Sequence, residues 1–254
     1  MLICPVRACQ RALVRQTGRA VCAEGHSFDI AKSGYLNLLQ PQERRSKLPG
    51  DTALAVAARR RLHDRGVTAP LLEAIQEFAE PSGHVLDAGC GEGFYSGSLS
   101  GVETHGIDIS IPAIEAAAKR YPLGEWIVGN ADRFIPYADG SFETILSITA
   151  RMNPREFNRV LQAGGKLLVA VPAPDDLVEL RGESRDRVAR TVADFALHFT
   201  LLKHRRVTTA ASLNSDAVQD VLRLIYRPQG SNASGAMRLT FSLDLLLFQA
   251  AQMQ

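Results

Sequence analysis

Four residues in the first 26 carry the side chains of a metal site: Cys4, Cys9, Cys22 and His26, spaced C-x4-C-x12-C-x3-H. Three thiolates and one imidazole close the tetrahedral shell of a structural Zn2+. Each close pair puts two ligands on one tight turn, and the twelve intervening residues suffice for a returning hairpin. So short a segment cannot bury a sufficient core alone, so the metal is expected to supply much of its folding free energy. With four protein ligands no coordination position stays open, which makes the ion a scaffold and not a Lewis acid. The alternative is three reduced thiols and an unrelated surface histidine. Disulfides are disfavoured by the odd count and by an intracellular setting.

A second constellation lies in "HVLDAGCGEGFYS", where Asp87, Gly89, Gly91 and Gly93 alternate with other residues between a predicted strand and a helix start. Glycines allow the sharp turn and the close backbone approach that a cofactor laid over the end of a strand requires. Asp108 follows at the end of "ETHGID", where an acid can take both hydroxyls of a ribose. The dinucleotide fingerprint G-x-G-x-x-G is absent, because Phe94 or Ser96 occupies the third glycine's place. Cys90, inside the loop, reads as a small packed thiol.

The elements that must position these residues alternate in type. Helices are predicted at 52–64, 71–79, 112–120, 155–161 and 216–226, and strands at 84–87, 104–108, 126–128, 143–149, 166–171, 200–208 and 238–248. Gly164 and Gly165 are expected to stop the fourth helix, and the stretch after Tyr226 reads as a Gly/Ser-rich loop. Regular alternation implies an α/β fold with a mostly parallel sheet and helices on both faces. The expected organisation is a zinc-binding domain over 1–40, a basic connector and helix over 41–69, and a large domain over 70–254.

The 254 residues carry a formal charge of +2, which conceals a division. Residues 1–67 hold 12 Lys or Arg against five acids, or +7, leaving −5 for the remainder. Such asymmetry suggests an anionic partner for the basic part, nucleic acid or a membrane surface, although solvated charge is the plainer reading. Of Arg59, Arg60 and Arg61, about 100° apart on a helix, at least one should point outward. Lys203, His204, Arg205 and Arg206 fall in a predicted strand, where alternation gives two to each face. No apolar run approaches the ~20 residues of a membrane span, and no secretory leader is recognisable, so a soluble, cytoplasmic protein is expected.

The acid-x-Gly-x-Gly-x-Gly loop with Asp108 ending the second strand resembles the class I S-adenosylmethionine (SAM) methyltransferases. The resemblance continues in Asn130-Ala131-Asp132, similar to the segment that contacts adenine there, and in "REFNRVLQAGGKLLVAVPAP". The order of parts, a zinc knuckle, "HSFDIAKSGYLNLL", "RRSKLPGDTALAVAARRRLHDRG" and a methyltransferase core, resembles the bacterial 23S rRNA guanine-N1 methyltransferases over nearly the full length. That resemblance implies zinc on Cys4, Cys9, Cys22 and His26. It implies SAM contacts by Gly91 and Glu92, with Thr68 and Asp176 on the cofactor side. It further implies a homodimer acting on a 23S rRNA hairpin in the large ribosomal subunit or its precursor. Three departures stand out: C-x4-C replaces the usual C-x2-C, Thr68 replaces a larger residue, and the loop after Tyr226 is short.

N1 of guanine bears a proton and lies on the Watson–Crick edge, so the base must be unpaired before attack. Asn153, in "TARMNPRE", partly matches the Asn-Pro-Pro-aromatic motif of amino-methylating enzymes and is a candidate for orienting that edge; the alternative is that it caps the helix starting at Pro154. Two other functions fit the same residues: a small-molecule methyltransferase with a dimerising knuckle, and an RNA-binding assembly factor that retains SAM without turnover.

Overall fold

The computed structural model describes residues 1–43, 49–225 and 235–251. Arg44, Arg45, Lys47 and the stretch from Tyr226 to Ser234 lie outside the described residues. The N-terminal segment forms an antiparallel sheet of β1 (Leu13–Gln16), β2 (Arg19–Cys22) and β3 (Ser27–Asp29). A short strand β4 (Leu36–Asn37) follows, then helices α1 (Ala53–Asp64) and α2 (Ala69–Ala79). Thr52 caps α1, its side chain accepting from the Ala55 amide at 3.2 Å.

The large unit then alternates: β5 (His84–Ala88), α3 (Phe94–Gly97), β6 (Glu103–Asp108), α4 (Ile111–Arg120), β7 (Glu125–Val128), β8 (Phe142–Ile148), α5 (Pro154–Val160) and β9 (Leu161–Pro172). It closes with α6 (Val178–Arg181), α7 (Val188–Phe195), β10 (Phe199–Leu213), α8 (Ser215–Leu224) and β11 (Met237–Ala250). Eight strands pair in the order β10-β11-β9-β8-β5-β6-β7-β4. β11 runs antiparallel to both β10 and β9, and the other pairings of this sheet are parallel. The central strands read as continuous apolar runs because helices cover both faces, and Leu86, Ile145, Leu146, Leu167 and Leu168 are fully buried. Order reverses at β5, whose carboxyl end with that of β8 opens the crevice where such sheets bind ligands.

Three expectations change. β4 belongs to the large sheet: Leu36 and Asn37 pair in parallel with Ile127 and Val128 of β7, and the Leu38 amide donates to the Val128 carbonyl. A boundary at residue 40 therefore falls after a strand already inside the second unit. Helix α5 ends at Val160, before the two glycines, because Leu161 turns extended (φ −83°, ψ 142°) and begins β9. Gly164, at φ +75°, sits within that strand instead of capping the helix. Helices α6 and α7, of 4 and 8 residues, went unpredicted for want of a long periodic pattern.

Candidate cofactor cleft and metal centre

The metal ligands converge. One donor atom from each of Cys4, Cys9, Cys22 and His26 lies within 4.8 Å of the others. Cys4 Sγ is 3.5 Å and Cys22 Sγ 3.4 Å from His26 Nδ1, and Cys9 Sγ is 3.7 Å from Cys22 Sγ. A tetrahedral Zn2+ with ~2.3 Å bonds to sulfur and ~2.0 Å to nitrogen requires separations of about 3.8 Å and about 3.5 Å. The donor set thus fits zinc in both chemistry and spacing. The two extra residues between Cys4 and Cys9 are absorbed in a turn where Ala8 takes φ +65°, closed by the Cys9 amide donating to the Val6 carbonyl.

The glycine loop bends sharply between β5 and α3. Gly89 has φ +84° and Gly93 φ +75°; an added Cβ would lie 2.4 Å from the Ala150 Cβ and 2.5 Å from the Trp126 ring, respectively. Only glycine fits at either position. Asp108, at the end of β6, steadies the loop: Oδ2 accepts from the Gly91 amide at 3.0 Å and Oδ1 from the Ser110 amide at 2.8 Å. Each oxygen keeps a further lone pair for a ligand hydroxyl. Burial raises the Asp108 carboxyl above its ordinary value against those two bonds. Asp87, also buried, is pushed up to about 7 by burial and by Asp108 and Glu92, with the Ser96 hydroxyl opposing. Asn130 begins the next turn, its Oδ1 accepting from the Asp132 amide at 3.1 Å.

The connector forms the facing wall. Glu43, Pro49, Gly50 and Asp51 line the cleft, and the Asp51 carbonyl accepts from the Ser110 hydroxyl at 2.7 Å. From α1, Arg59 donates through Nη1 to Glu92 Oε2 at 3.1 Å and through Nη2 to Asp51. His63 stacks on Phe94, with ring centroids 3.7 Å apart and planes 6° from parallel. Its Nε2 lies 3.1 Å from Glu92 Oε1, without the geometry of a hydrogen bond. Burial alone would raise Glu92; the His63 ring and the Arg59 charge hold it below its usual range.

Asp87, Gly89, Gly91, Glu92, Asp108, Asn130 and Ala131 all line this one cleft of about 650 Å3. Thr68 and Asp176 do not. The Thr68 hydroxyl bonds His63 Nδ1 and reaches the cleft only through that ring. Asp176 braces the turn after β9, accepting from the Ser242 amide at 3.0 Å and pairing with Arg181. Asn153 is the N-cap of α5: Oδ1 accepts from the Glu156 amide at 3.3 Å and Nδ2 donates to the Asp132 carbonyl at 2.9 Å. Sequence reasoning missed Glu43, Asp51, Arg59 and His63, which follow no motif. The one available signal was the spacing of Arg59 and His63, which puts both on one helix face.

The basic residues divide. Arg60 faces outward, 3.7 Å from exposed Asp64, whereas Arg61 donates to buried Asp220 at 2.8 and 2.6 Å and Arg59 serves Glu92. Alternation holds along β10: His204 and Arg206 both meet Asp244, while Arg205 turns the other way, to Glu77 and over the Phe78 ring. Part of the N-terminal positive charge is therefore already paired with the chain's own acids.

Fold and cleft together define a class I SAM-dependent methyltransferase, and residues 86–169 match the methyltransferase-domain family model. Residues 2–47 match the N-terminal zinc-ribbon model of RlmA. Among curated proteins, a Streptomyces fradiae 23S rRNA (guanine(748)-N(1))-methyltransferase is 33% identical over 84% of this chain and 81% of its own length. A candidate 23S rRNA (guanine-N(1)-)-methyltransferase of Bacillus subtilis (strain 168), YxjB, is 34% identical over 71% and 67%. The chain belongs to the 23S rRNA (guanine-N1)-methyltransferase family. Among solved structures, a chain from the Haloferax volcanii complex of the Trm112 methyltransferase activator with a methyltransferase matches with a TM-score of 0.52 at 17% identity, over 80% of this chain and 99% of that one. That likeness is one of fold.

Proposed function

We propose that this protein methylates N1 of a guanine in a hairpin loop of 23S rRNA, using SAM. The observation that carries the reading is a cleft at the carboxyl ends of the parallel strands whose second wall comes from the connector of a Cys3His ribbon. The lining is rich in acids, with Glu43, Asp51, Asp87, Glu92, Asp108 and Asp132, which suits a cationic ligand. When bound, the cofactor supplies a methyl group on a sulfonium, delivered by in-line displacement.

The chain's own contribution is alignment, which can supply ~7–11 kcal/mol of barrier reduction. Asp108 would receive the ribose hydroxyls, Gly89 and Gly91 the close approach of the cofactor backbone, and Asn130 with Ala131 the adenine. Arg59, whose Nη1 lies 3.1 Å from where a Cβ on Gly91 would stand, would meet the amino-acid end of the cofactor. Thr149, Ala150 and Arg151, after β8, edge the cleft where the base would enter. Asn153 supports this edge as a cap. The exposed Arg7, Lys32 and Arg65 would meet phosphate, giving affinity without sequence readout. Pairing two ribbons in a homodimer would double the outward-facing cations offered to the hairpin. A ribosomal substrate would be met in the cytoplasm.

Primer extension on 23S rRNA from a deletion strain tests the reading, because N1 methylation blocks pairing and halts the polymerase. One stop should disappear on deletion and return on complementation. An unchanged stop pattern would sink it.

A further inference from the structure

At the edge of the sheet opposite the cofactor cleft, β5 and β6 begin side by side, with His84 in register with Glu103 and Leu86 with His105. Side chains alternate along a strand, so Glu103 and His105 share one face, and the register brings His84 onto it. One nitrogen of each histidine and one oxygen of Glu103 lie within 4.8 Å of one another. His84 Nδ1 is 3.3 Å from Glu103 Oε2, and the two imidazole centroids are 5.8 Å apart.

The state of His105 distinguishes this cluster from a surface ion pair. Its Nδ1 is 3.0 Å from the hydroxyl of buried Tyr137. Its Nε2 is buried and has no hydrogen-bond partner. With the proton on Nδ1 and donated to the tyrosine oxygen, Nε2 keeps a lone pair, the arrangement an outer-shell group imposes on a metal-binding histidine. A buried ring nitrogen without a partner is costly, and coordination would satisfy it.

We infer that His84, Glu103 and His105 form a second metal site, distinct from the Cys3His centre, for a divalent cation that prefers imidazole. Two imidazoles and one carboxylate favour Zn2+, Ni2+ or Cu2+ over Mg2+ or Ca2+, which take oxygen ligands. Donors around one ion bound at ~2.0–2.2 Å sit about 3.0–3.5 Å apart. The 3.3 Å pair already meets this, and the Glu103 side chain, 73% exposed, is free to swing onto the ion. Glu103 and His105 also line a cavity of about 950 Å3 that gives solvent a way in, and the two arginines that line it are paired, Arg15 with Glu125 and Arg120 with Asp64. With three protein ligands the site keeps positions for water, unlike the closed ribbon centre. Its ion would tie the starts of β5 and β6 together.

The test uses the full-length protein carrying one zinc in the ribbon, titrated with Ni2+ by calorimetry. One Ni2+ per chain should bind with a Kd below about 100 µM, and Mg2+ should give no heat. His84→Ala, Glu103→Gln and His105→Phe should each weaken Ni2+ binding by more than about tenfold, and Tyr137→Phe by about tenfold or more. The ribbon zinc, counted by mass spectrometry, should stay at one equivalent in all four. His204→Ala, a surface histidine elsewhere, should bind Ni2+ as the wild type does. His84 and Glu103 lie at the surface, so their variants read out even where a His105 or Tyr137 variant misfolds. No Ni2+ uptake by the wild type, or uptake unchanged in His84→Ala, would overturn the site.

Discussion

The ribbon and the cofactor cleft are both sites assembled from backbone turns, yet they are built on opposite plans. The ribbon draws four ligands from residues 4–26, and a hairpin with one ion suffices to bring them together. The cleft draws its walls from the ends of β5, β6, β7 and β8 and from a connector preceding them, so its geometry exists only once the sheet has formed. A local site depends on its metal. A distributed site depends on the whole fold, and its charges are held in place by partners distant in sequence, such as Arg59 on Glu92.

Removing the metal should separate the two most sharply. Cys22→Ser is expected to lose one equivalent of zinc and unfold the ribbon, since structural zinc contributes ~10 kcal/mol or more to such modules. SAM binding, measured by calorimetry, should survive, weakened only as far as the connector loosens. Equal loss of both functions would mean that the two sites are one cooperative unit.

Arg59→Gln tests the connector's part in the cleft. It strands the buried Glu92 carboxylate and should cost on the order of 3 kcal/mol by urea denaturation, with loss of SAM affinity and retention of zinc. A variant as stable as the wild type would show that the connector merely covers the cleft.

The raised Asp87 gives a pH test. A carboxyl that goes from 3.8 in the unfolded chain to about 7 in the fold is protonated more readily when folded, so it carries no penalty below pH 4 and an increasing one up to pH 7. Asp87→Asn removes the ionisation. Its stability relative to wild type should therefore rise from pH 4 to pH 7 and then level off, as followed by denaturant midpoints. A flat difference would mean that Asp87 is charged at no extra cost.

Smaller effects follow at the cleft's rim. Asp108→Ala should weaken SAM by about tenfold or more through its lost ribose bonds while RNA affinity stays near normal. Asn153→Ala should cost ~1 kcal/mol of stability, as loss of a helix cap does, with turnover within a few-fold of wild type. A collapse of turnover at normal stability would return Asn153 to the chemistry.

The same contrast explains what was legible in the sequence. Cys4, Cys9, Cys22 and His26 announce themselves by type and spacing, and Gly89, Gly91, Gly93 and Asp108 by their place between strand and helix. Arg59, His63 and Asp51 carry no such mark, because their role depends on where the connector lands against Glu92 and Ser110. Thr68 and Asp176 were placed by resemblance alone; their side chains hold His63 and the turn after β9. Asn153 could be read either as cap or as base-orienting group; the two hydrogen bonds of its amide show how far it is already engaged. Strand β4 was invisible because two residues give no periodicity, and the edge of a sheet formed later in the chain selects them.

That strand also sets an order of events during synthesis. Leu36 and Asn37 leave the ribosome 91 residues ahead of Val128, the last residue they pair with. At ~5–20 residues per second, the interval is about 5–20 s. The ribbon can take up its ion and fold within that time, but the edge it will complete does not yet exist. The first strand of the large sheet to be made thus waits for a partner while β5, β6 and β7 are synthesised.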